Sequence, residues 1–164
     1  MAARVRLAAA LFCVCLLLPG CGAGVTADIS AYGDTPITVS GLTDKDFTVT
    51  PGELAKLKCV RMDGTGKTAK AGTVNAVGPL LETFLAQYGK TLDDFSYIKF
   101  TAADQYAVTL GKQHLKEKDV VLSVASGSKP LTESQRPLRL FIPDAESSYW
   151  IYAVVRIDFT PKDQ

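Results

Sequence analysis

The chain has 164 residues and a nearly balanced charge, with 18 basic and 17 acidic side chains. This balance gives no electrostatic reason to expect nucleic acid or an anionic lipid surface as a partner. His114 is the only histidine, which excludes a histidine-rich metal site and a zinc site with two histidine ligands.

The first 20 residues have the three zones of a secretion signal. Arg4 and Arg6 make the start positive, residues 7–18 are an uninterrupted apolar run, and a Pro-Gly pair ends it. Twelve residues would form a helix of about 18 Å, which is shorter than the roughly 30 Å hydrocarbon core of a membrane. We therefore predict a cleaved signal peptide at residues 1–20 rather than a permanent transmembrane helix.

The signal ends in Leu-Pro-Gly-Cys at residues 18–21, which resembles a bacterial lipobox. The resemblance implies that Cys21 is diacylated and becomes the first residue of the mature protein. One acyl chain anchors a protein only marginally, whereas several would hold it at a membrane. We predict an exported lipoprotein attached through Cys21 to the cell envelope, on the outer face of the cytoplasmic membrane or on an outer membrane facing the periplasm. The alternative is a secreted protein cut near Gly20 or Ala23, with Cys21 a spare thiol.

Residues 21–36 have few large apolar side chains and several glycines, so we predict a flexible tether before a domain at residues 37–160. Cys13 and Cys15 would leave with the signal and Cys21 would carry lipid. Cys59 is then the one free thiol of the domain, and no disulfide can form within it. The fold must depend on core packing alone.

Alternating and periodic apolar patterns predict the elements of the first half of the domain. Thr50, Pro51 and Glu53 predict a helix start, with a capping threonine, a proline in the first turn and a capping box. Residues 63–66, Asp-Gly-Thr-Gly, predict the turn of a hairpin. The main helix is predicted at residues 79–88. Strands are predicted at residues 37–40, 47–49, 59–62 and 68–74.

The second half of the domain is richer in strand patterns. A polar stretch at residues 112–118 predicts one helical turn, and residues 126–130 predict a loop. Residues 149–159 have the longest strand pattern. The other strands are predicted at residues 97–100, 106–110, 120–124 and 138–142. Many strands, short helices and no alternation of strand and helix predict a small single domain of the α+β class, mostly β.

Six segments of the domain match a known family in sequence and in order. They lie at residues 37–42, 47–54, 78–85, 101–106, 136–143 and 150–157. Together they resemble the molybdopterin-binding domain of the sulfite oxidase family. The resemblance covers about 120 residues, and it implies a small version of the sulfite-oxidase-type fold.

The resemblance does not extend to the metal ligand. In that family a cysteine thiolate binds molybdenum within a Cys-x-Gly-Asn-x-Arg motif, and a soft thiolate suits this metal. Cys59 is the only candidate here, but it lies several residues before the expected place, and no Gly-Asn-x-Arg sequence follows it. The separated arginines of the signal also resemble those of the general secretory route, which exports unfolded chains. Because an unfolded chain cannot carry a bound cofactor across the membrane, we expect no cofactor. The alternative is molybdopterin, with Cys59 as the metal ligand.

Four residues are candidates for lining a ligand groove: Cys59, Arg61, Arg139 and Trp150. Arg139 matches the arginine of a family strand and would line what remains of the family's groove. The alternative is an exposed side chain or one paired with an acidic residue. Core packing is the alternative for the thiol of Cys59 and for the aromatic side chain of Trp150.

These observations predict a membrane-anchored extracytoplasmic lipoprotein with a cofactor-free binding or accessory domain. Its partner would be a small molecule or another envelope protein. The alternative is a small molybdopterin-dependent oxidoreductase in which Cys59 faces an open pocket. A thiol redox protein is a third reading, which a single unpaired cysteine supports poorly.

Overall fold

A computed structural model describes residues 24–65, 72–143 and 145–162. The predicted signal peptide and Cys21 lie outside the described residues, as do residues 66–71. Among the described helices, none has the length and apolar character needed to span a membrane.

The described residues form eleven strands and three short α-helices. The helices are α1 (Pro51–Leu54), α2 (Leu81–Ala86) and α3 (Lys112–Glu117). The strands are β1 (Ile37–Ser40), β2 (Phe47–Val49), β3 (Cys59–Thr65), β4 (Thr73–Pro79), β5 (Phe95–Ala102), β6 (Ala107–Gly111), β7 (Val121–Ser123), β8 (Ala125–Ser126), β9 (Lys129–Pro130), β10 (Arg139–Phe141) and β11 (Val154–Pro161).

The strands are arranged in three sheets. A five-stranded sheet has the order β2-β1-β11-β5-β6, a four-stranded sheet has the order β3-β4-β8-β9, and β10 pairs with β7. Only the pair β1 and β11 is parallel. The backbone of β4 also contacts the β7 segment, because the Val124 amide donates to the Val77 carbonyl at 2.9 Å. This contact joins the four-stranded sheet to the β10–β7 pair.

The described residues form three apolar clusters, and the two larger ones, called the larger and the smaller core here, lie on opposite sides of β10. The larger core packs the five-stranded sheet against α1 and α2 and includes Leu138, Leu140 and Ile142. The smaller core lies beneath β3 and β4 and includes Phe141 and Trp150. Successive side chains of a strand point to opposite faces, so β10 contributes side chains to both cores. Its odd-numbered residues, Arg139 and Phe141, point to the smaller one.

The predicted start of the first helix is confirmed. The Glu53 amide donates to Thr50 Oγ1 at 3.2 Å, and the Thr50 amide donates to Glu53 Oε2 at 2.8 Å. Pro51 occupies the first turn, where its missing N–H costs nothing. All these contacts lie within four residues, which is why the sequence alone reveals them.

The hairpin between β3 and β4 differs from the prediction. The turn was expected at residues 63–66, but β3 continues to Thr65 and Gly64 pairs with Val74. The described part of the returning strand is Thr73–Pro79, whereas the prediction ended this strand at residue 74. A Cβ at residue 64 would come within 2.6 Å of Phe141 Cζ, so this strand position requires a glycine. The glycine makes room for an aromatic ring and does not form a turn.

The last strand begins later than predicted. Tyr149 belongs to a 3₁₀ turn and β11 starts at Val154, so residues 149–153 are not strand. Trp150 is held by its indole Nε1, which donates to the Ile142 carbonyl at 2.8 Å. The apolar pattern there reflects burial in the smaller core. The predicted loop at residues 126–130 is instead a tight hairpin of β8 and β9.

Part of the segment predicted as a tether packs against the domain within its described residues, 24–36. Tyr32 is only 3% exposed. Its hydroxyl donates to the Val124 carbonyl at 2.7 Å and accepts from the Leu131 amide at 2.9 Å. The guanidinium of Arg136 lies 4.9 Å from the Tyr32 ring centroid. Because its ring is buried and its hydroxyl both donates and accepts a hydrogen bond, Tyr32 holds this segment against the domain.

Candidate functional site

Arg139 is the most unusual polar side chain of the described residues. It lies in β10 opposite Ser123 and is only 4% exposed. Its guanidinium carbon is 4.6 Å from the ring centroid of Tyr152 and 6.0 Å from those of Phe141 and Trp150. A cation at these distances is attracted by the faces of the rings. Arg139 therefore occupies an aromatic recess, defined here by Arg139, Phe141, Trp150 and Tyr152.

The charge of Arg139 is only partly compensated. Nη2 donates to the Tyr152 hydroxyl at 3.3 Å. Nε is buried and has no hydrogen-bond partner in the described part of the chain. No carboxylate of a described residue forms an ion pair with this guanidinium. Burial lowers the pKa of Arg139, and the contact with Tyr152 opposes that shift. Arginine remains charged in proteins, so this buried cation favours an anionic partner.

The aromatic recess is held on one side by internal hydrogen bonds. Trp150 and Phe141 pack with their ring centroids 4.9 Å apart. The one indole N–H of Trp150 is already bonded to the Ile142 carbonyl, so Trp150 offers a ligand only its ring. These two residues form an apolar wall behind the guanidinium.

Tyr152 is the exposed side chain of the recess. It is 40% exposed, and its ring lies over the guanidinium of Arg139. Its position depends on Ala153, which has a φ of 50° and turns the chain into β11. The Ala153 amide donates to the Gln135 carbonyl at 3.2 Å, which fixes this turn. Tyr152 was not among the predicted site residues. Its only sequence signal is its place in an aromatic cluster with Tyr149 and Trp150.

Cys59 does not reach the aromatic recess. It is 3% exposed, and its Sγ lies 3.9 Å from the Leu54 carbonyl and 3.8 Å from the Ala55 carbonyl. These contacts direct the thiol toward the end of α1. Burial raises the pKa of Cys59 and so disfavours the thiolate form. The structure thus matches the core-packing alternative for this residue and not an open pocket.

Arg61 lies on the surface, away from Arg139. Side chains of β3 alternate, with Arg61 and Asp63 exposed on one face. Met62 and Val60 point the other way and pack against the smaller core. Of the four predicted groove residues, the structure therefore brings together Arg139 and Trp150, while Cys59 and Arg61 lie elsewhere.

The described residues contain no group of three or more His, Cys, Asp or Glu side chains that could hold a metal ion. A molybdenum ligand must be an accessible thiolate. Cys59 is a buried thiol with a raised pKa that faces backbone carbonyls. The residues present therefore do not fit thiolate ligation of molybdenum at the recess.

Comparison with known proteins supports the fold. No family model and no curated protein matches the chain. Among solved structures, it is similar to the sulfane dehydrogenase SoxCD from Paracoccus pantotrophus. The TM-score is 0.66 and the identity 18%, over 79% of this chain and 39% of the dehydrogenase chain. The chain thus spans less than half the length of that protein.

The predicted fold class is confirmed. The chain is a small, mostly β domain with the fold of a molybdopterin-binding oxidoreductase domain. An identity of 18% establishes the fold alone, because unrelated activities are often carried by one fold.

Proposed function

We propose that this protein is a lipoprotein of the cell envelope whose domain binds an anionic group at the aromatic recess, without a molybdenum cofactor. The group would belong to a small molecule or to another envelope protein that the domain assists. The single observation that carries the proposal is the buried guanidinium of Arg139, whose Nε has no partner among the described residues.

Burying a charged group without a partner is costly, and that cost favours binding of the opposite charge. An oxyanion or carboxylate could accept from Nε and from the remaining guanidinium N–H groups of Arg139, in the two-pronged geometry that arginine offers. Tyr152 would open to admit the ligand, and its hydroxyl would then donate a hydrogen bond to it. The rings of Phe141 and Trp150 exclude water from one side, which strengthens the attraction.

The absence of a cofactor is proposed from the position of Cys59. The thiol is buried against α1, and burial raises its pKa. The family motif around the metal ligand is also missing from the sequence. A fold of this type without an accessible thiolate is better suited to binding than to molybdenum chemistry.

Anchoring through Cys21 is proposed from the lipobox. Val25 already packs against the larger core, four residues after Cys21. Four extended residues span only about 14 Å. Lipid on Cys21 would therefore hold the domain close to the membrane surface.

The anion proposal is tested by calorimetric titration of the protein with inorganic phosphate and with sulfate. We expect binding that weakens about tenfold in Arg139→Lys, because lysine keeps the charge but loses the planar fork. Tyr152→Phe is the matched milder change and should weaken binding less. If neither anion binds, or if both bind Arg139→Lys as tightly as the wild type, the recess is not an anion site.

The second candidate is a small molybdopterin-dependent oxidoreductase with Cys59 as ligand, which the likeness to the sulfane dehydrogenase favours. The test is the molybdenum content of protein purified from cells that make the cofactor. Stoichiometric molybdenum that disappears in Cys59→Ser would establish this candidate and contradict the first. Incorporation of labelled fatty acid, lost in Cys21→Ser, tests the anchor independently.

A further inference from the structure

We propose that β3 is the interface of a symmetric dimer, in which the β3 strands of two copies of this chain pair antiparallel about Met62. The two four-stranded sheets would then form one continuous sheet of eight strands. This inference does not depend on the anion site or on the lipid anchor.

β3 is an unusually open edge. It pairs with β4 over all seven residues, from Cys59 opposite Pro79 to Thr65 opposite Thr73. No described strand lies on its other side. Proteins usually protect an edge strand by making it short or by placing a proline or a bulge in it. The opposite edge of this sheet, β9, has two residues and ends in Pro130. β3 has seven residues, no proline and no break in register.

Symmetry limits how two β3 strands can pair. A twofold axis perpendicular to the sheet keeps each side chain on its own face, so the axis must pass through a residue and not between two residues. An axis at Arg61 or at Asp63 would place two like charges opposite each other. An axis at Met62 places Arg61 of each copy opposite Asp63 of the other. Opposite charges in such pairs are stabilising and like charges are destabilising. An axis at Val60 or Gly64 would place Arg61 opposite Cys59 or Asp63 opposite Thr65 and gain no charge pair, so the Met62 register is favoured.

The other face of β3 is compatible with the same register. Val60, Met62 and Gly64 lie on the face that covers the smaller core, and Val60 and Met62 are only partly buried there. Pairing about Met62 places Val60 opposite Gly64 and Met62 opposite its own copy. The remaining exposed apolar surface of these side chains would be covered, and the smaller cores of the two copies would become neighbours.

Cysteine crosslinking tests the register directly. Met62→Cys is introduced with Cys59→Ala in the full chain, and the purified chain is treated with a mild oxidant. Directly paired residues have Cα atoms about 4.5–5.5 Å apart, within the range of a disulfide. Thr65→Cys in the same background is the control, because the two copies of residue 65 would be about 20 Å apart. We expect a covalent dimer of the Met62→Cys chain only. No dimer, or equal dimer from both variants, would overturn the proposal.

Charge reversal tests the pairing without cysteines. Either single variant, Arg61→Asp or Asp63→Arg, would place like charges opposite each other in both symmetry-related pairs of residues 61 and 63. The dimer dissociation constant of the detergent-solubilised full chain, measured by sedimentation, should rise about tenfold. The double variant Arg61→Asp, Asp63→Arg restores both pairs in the reverse sense and should recover the wild-type value. A wild-type chain that is monomeric at every concentration, or a double variant weaker than either single variant, would refute the interface.

Discussion

The contact between Gly64 and Phe141 leads to a quantitative prediction. A Cβ on Gly64 would come within 2.6 Å of Cζ of a ring that is fully buried. Neither the strand backbone nor the enclosed ring can move freely, so Gly64→Ala must overpack the smaller core. Overpacking of this kind costs about 1–3 kcal/mol. We expect the free energy of unfolding of Gly64→Ala to fall by about this amount in urea titrations.

A matched control separates this cost from a general effect of adding a methyl group. Gly111 ends β6, and a Cβ there would have no heavy atom within 4 Å. Gly111 is also the N-cap of α3, where alanine is less favourable than glycine, so Gly111→Ala should cost at most about 1 kcal/mol and less than Gly64→Ala. The comparison uses the same substitution at two strand residues, one crowded and one open.

A double-mutant cycle identifies the crowding partner. Phe141→Leu leaves a cavity and should destabilise the protein by itself. In the double variant the new methyl group would occupy part of that cavity. The decrease in the free energy of unfolding should therefore be about 1 kcal/mol smaller than the sum of the decreases in the two single variants. Additive losses, or a Gly64→Ala variant as stable as Gly111→Ala, would refute the packing described here. They would favour a glycine that is needed for a turn.

Three further predictions concern single contacts. Tyr32→Phe leaves two buried backbone groups without their partner and should cost about 1–3 kcal/mol in urea unfolding, whereas Tyr97→Phe, on an exposed ring, should be neutral. Thr50→Ala removes the cap of α1 and should cost about 1 kcal/mol, and a loss below the error of the measurement would contradict its role. Because burial raises the pKa of Cys59, its thiol should react with a maleimide only after unfolding, as peptide mapping would show. Rapid labelling of the native protein would instead support the reactive-thiol alternatives.

Elements that depend on neighbours in sequence could be predicted well. The capping box at Thr50 joins residues three apart, and the strands β1, β2, β5 and β6 follow from local alternation of apolar side chains. The fold class followed from the resemblance, and the likeness to a solved structure confirmed it. The burial of Cys59 agrees with core packing, the alternative to its place in a groove, because free cysteines are among the most buried residue types.

The prediction errors share one physical cause. Gly64 resembles a turn residue until the ring of Phe141 is placed beside it, and Tyr32 resembles part of a tether until its partner, Val124, is found 92 residues away. Trp150 continues an apolar pattern that reflects burial in a loop rather than a strand. Each depends on a contact between distant segments, which no local pattern contains.

The candidate site also depends partly on features visible in the sequence and partly on contacts made only in the folded chain. The sequence alone determined the strand pattern around Arg139 and placed Cys59 as the one cysteine after residue 21, and it predicts a lipobox at Cys21. Only the tertiary structure decided that Cys59 faces α1 while Tyr152, 13 residues from Arg139, covers the guanidinium. Sequence determines which groups a chain carries and how they alternate along each strand. Which of them meet is decided by how the sheets pack around two cores, because that packing sets which charges are removed from water and which rings surround them.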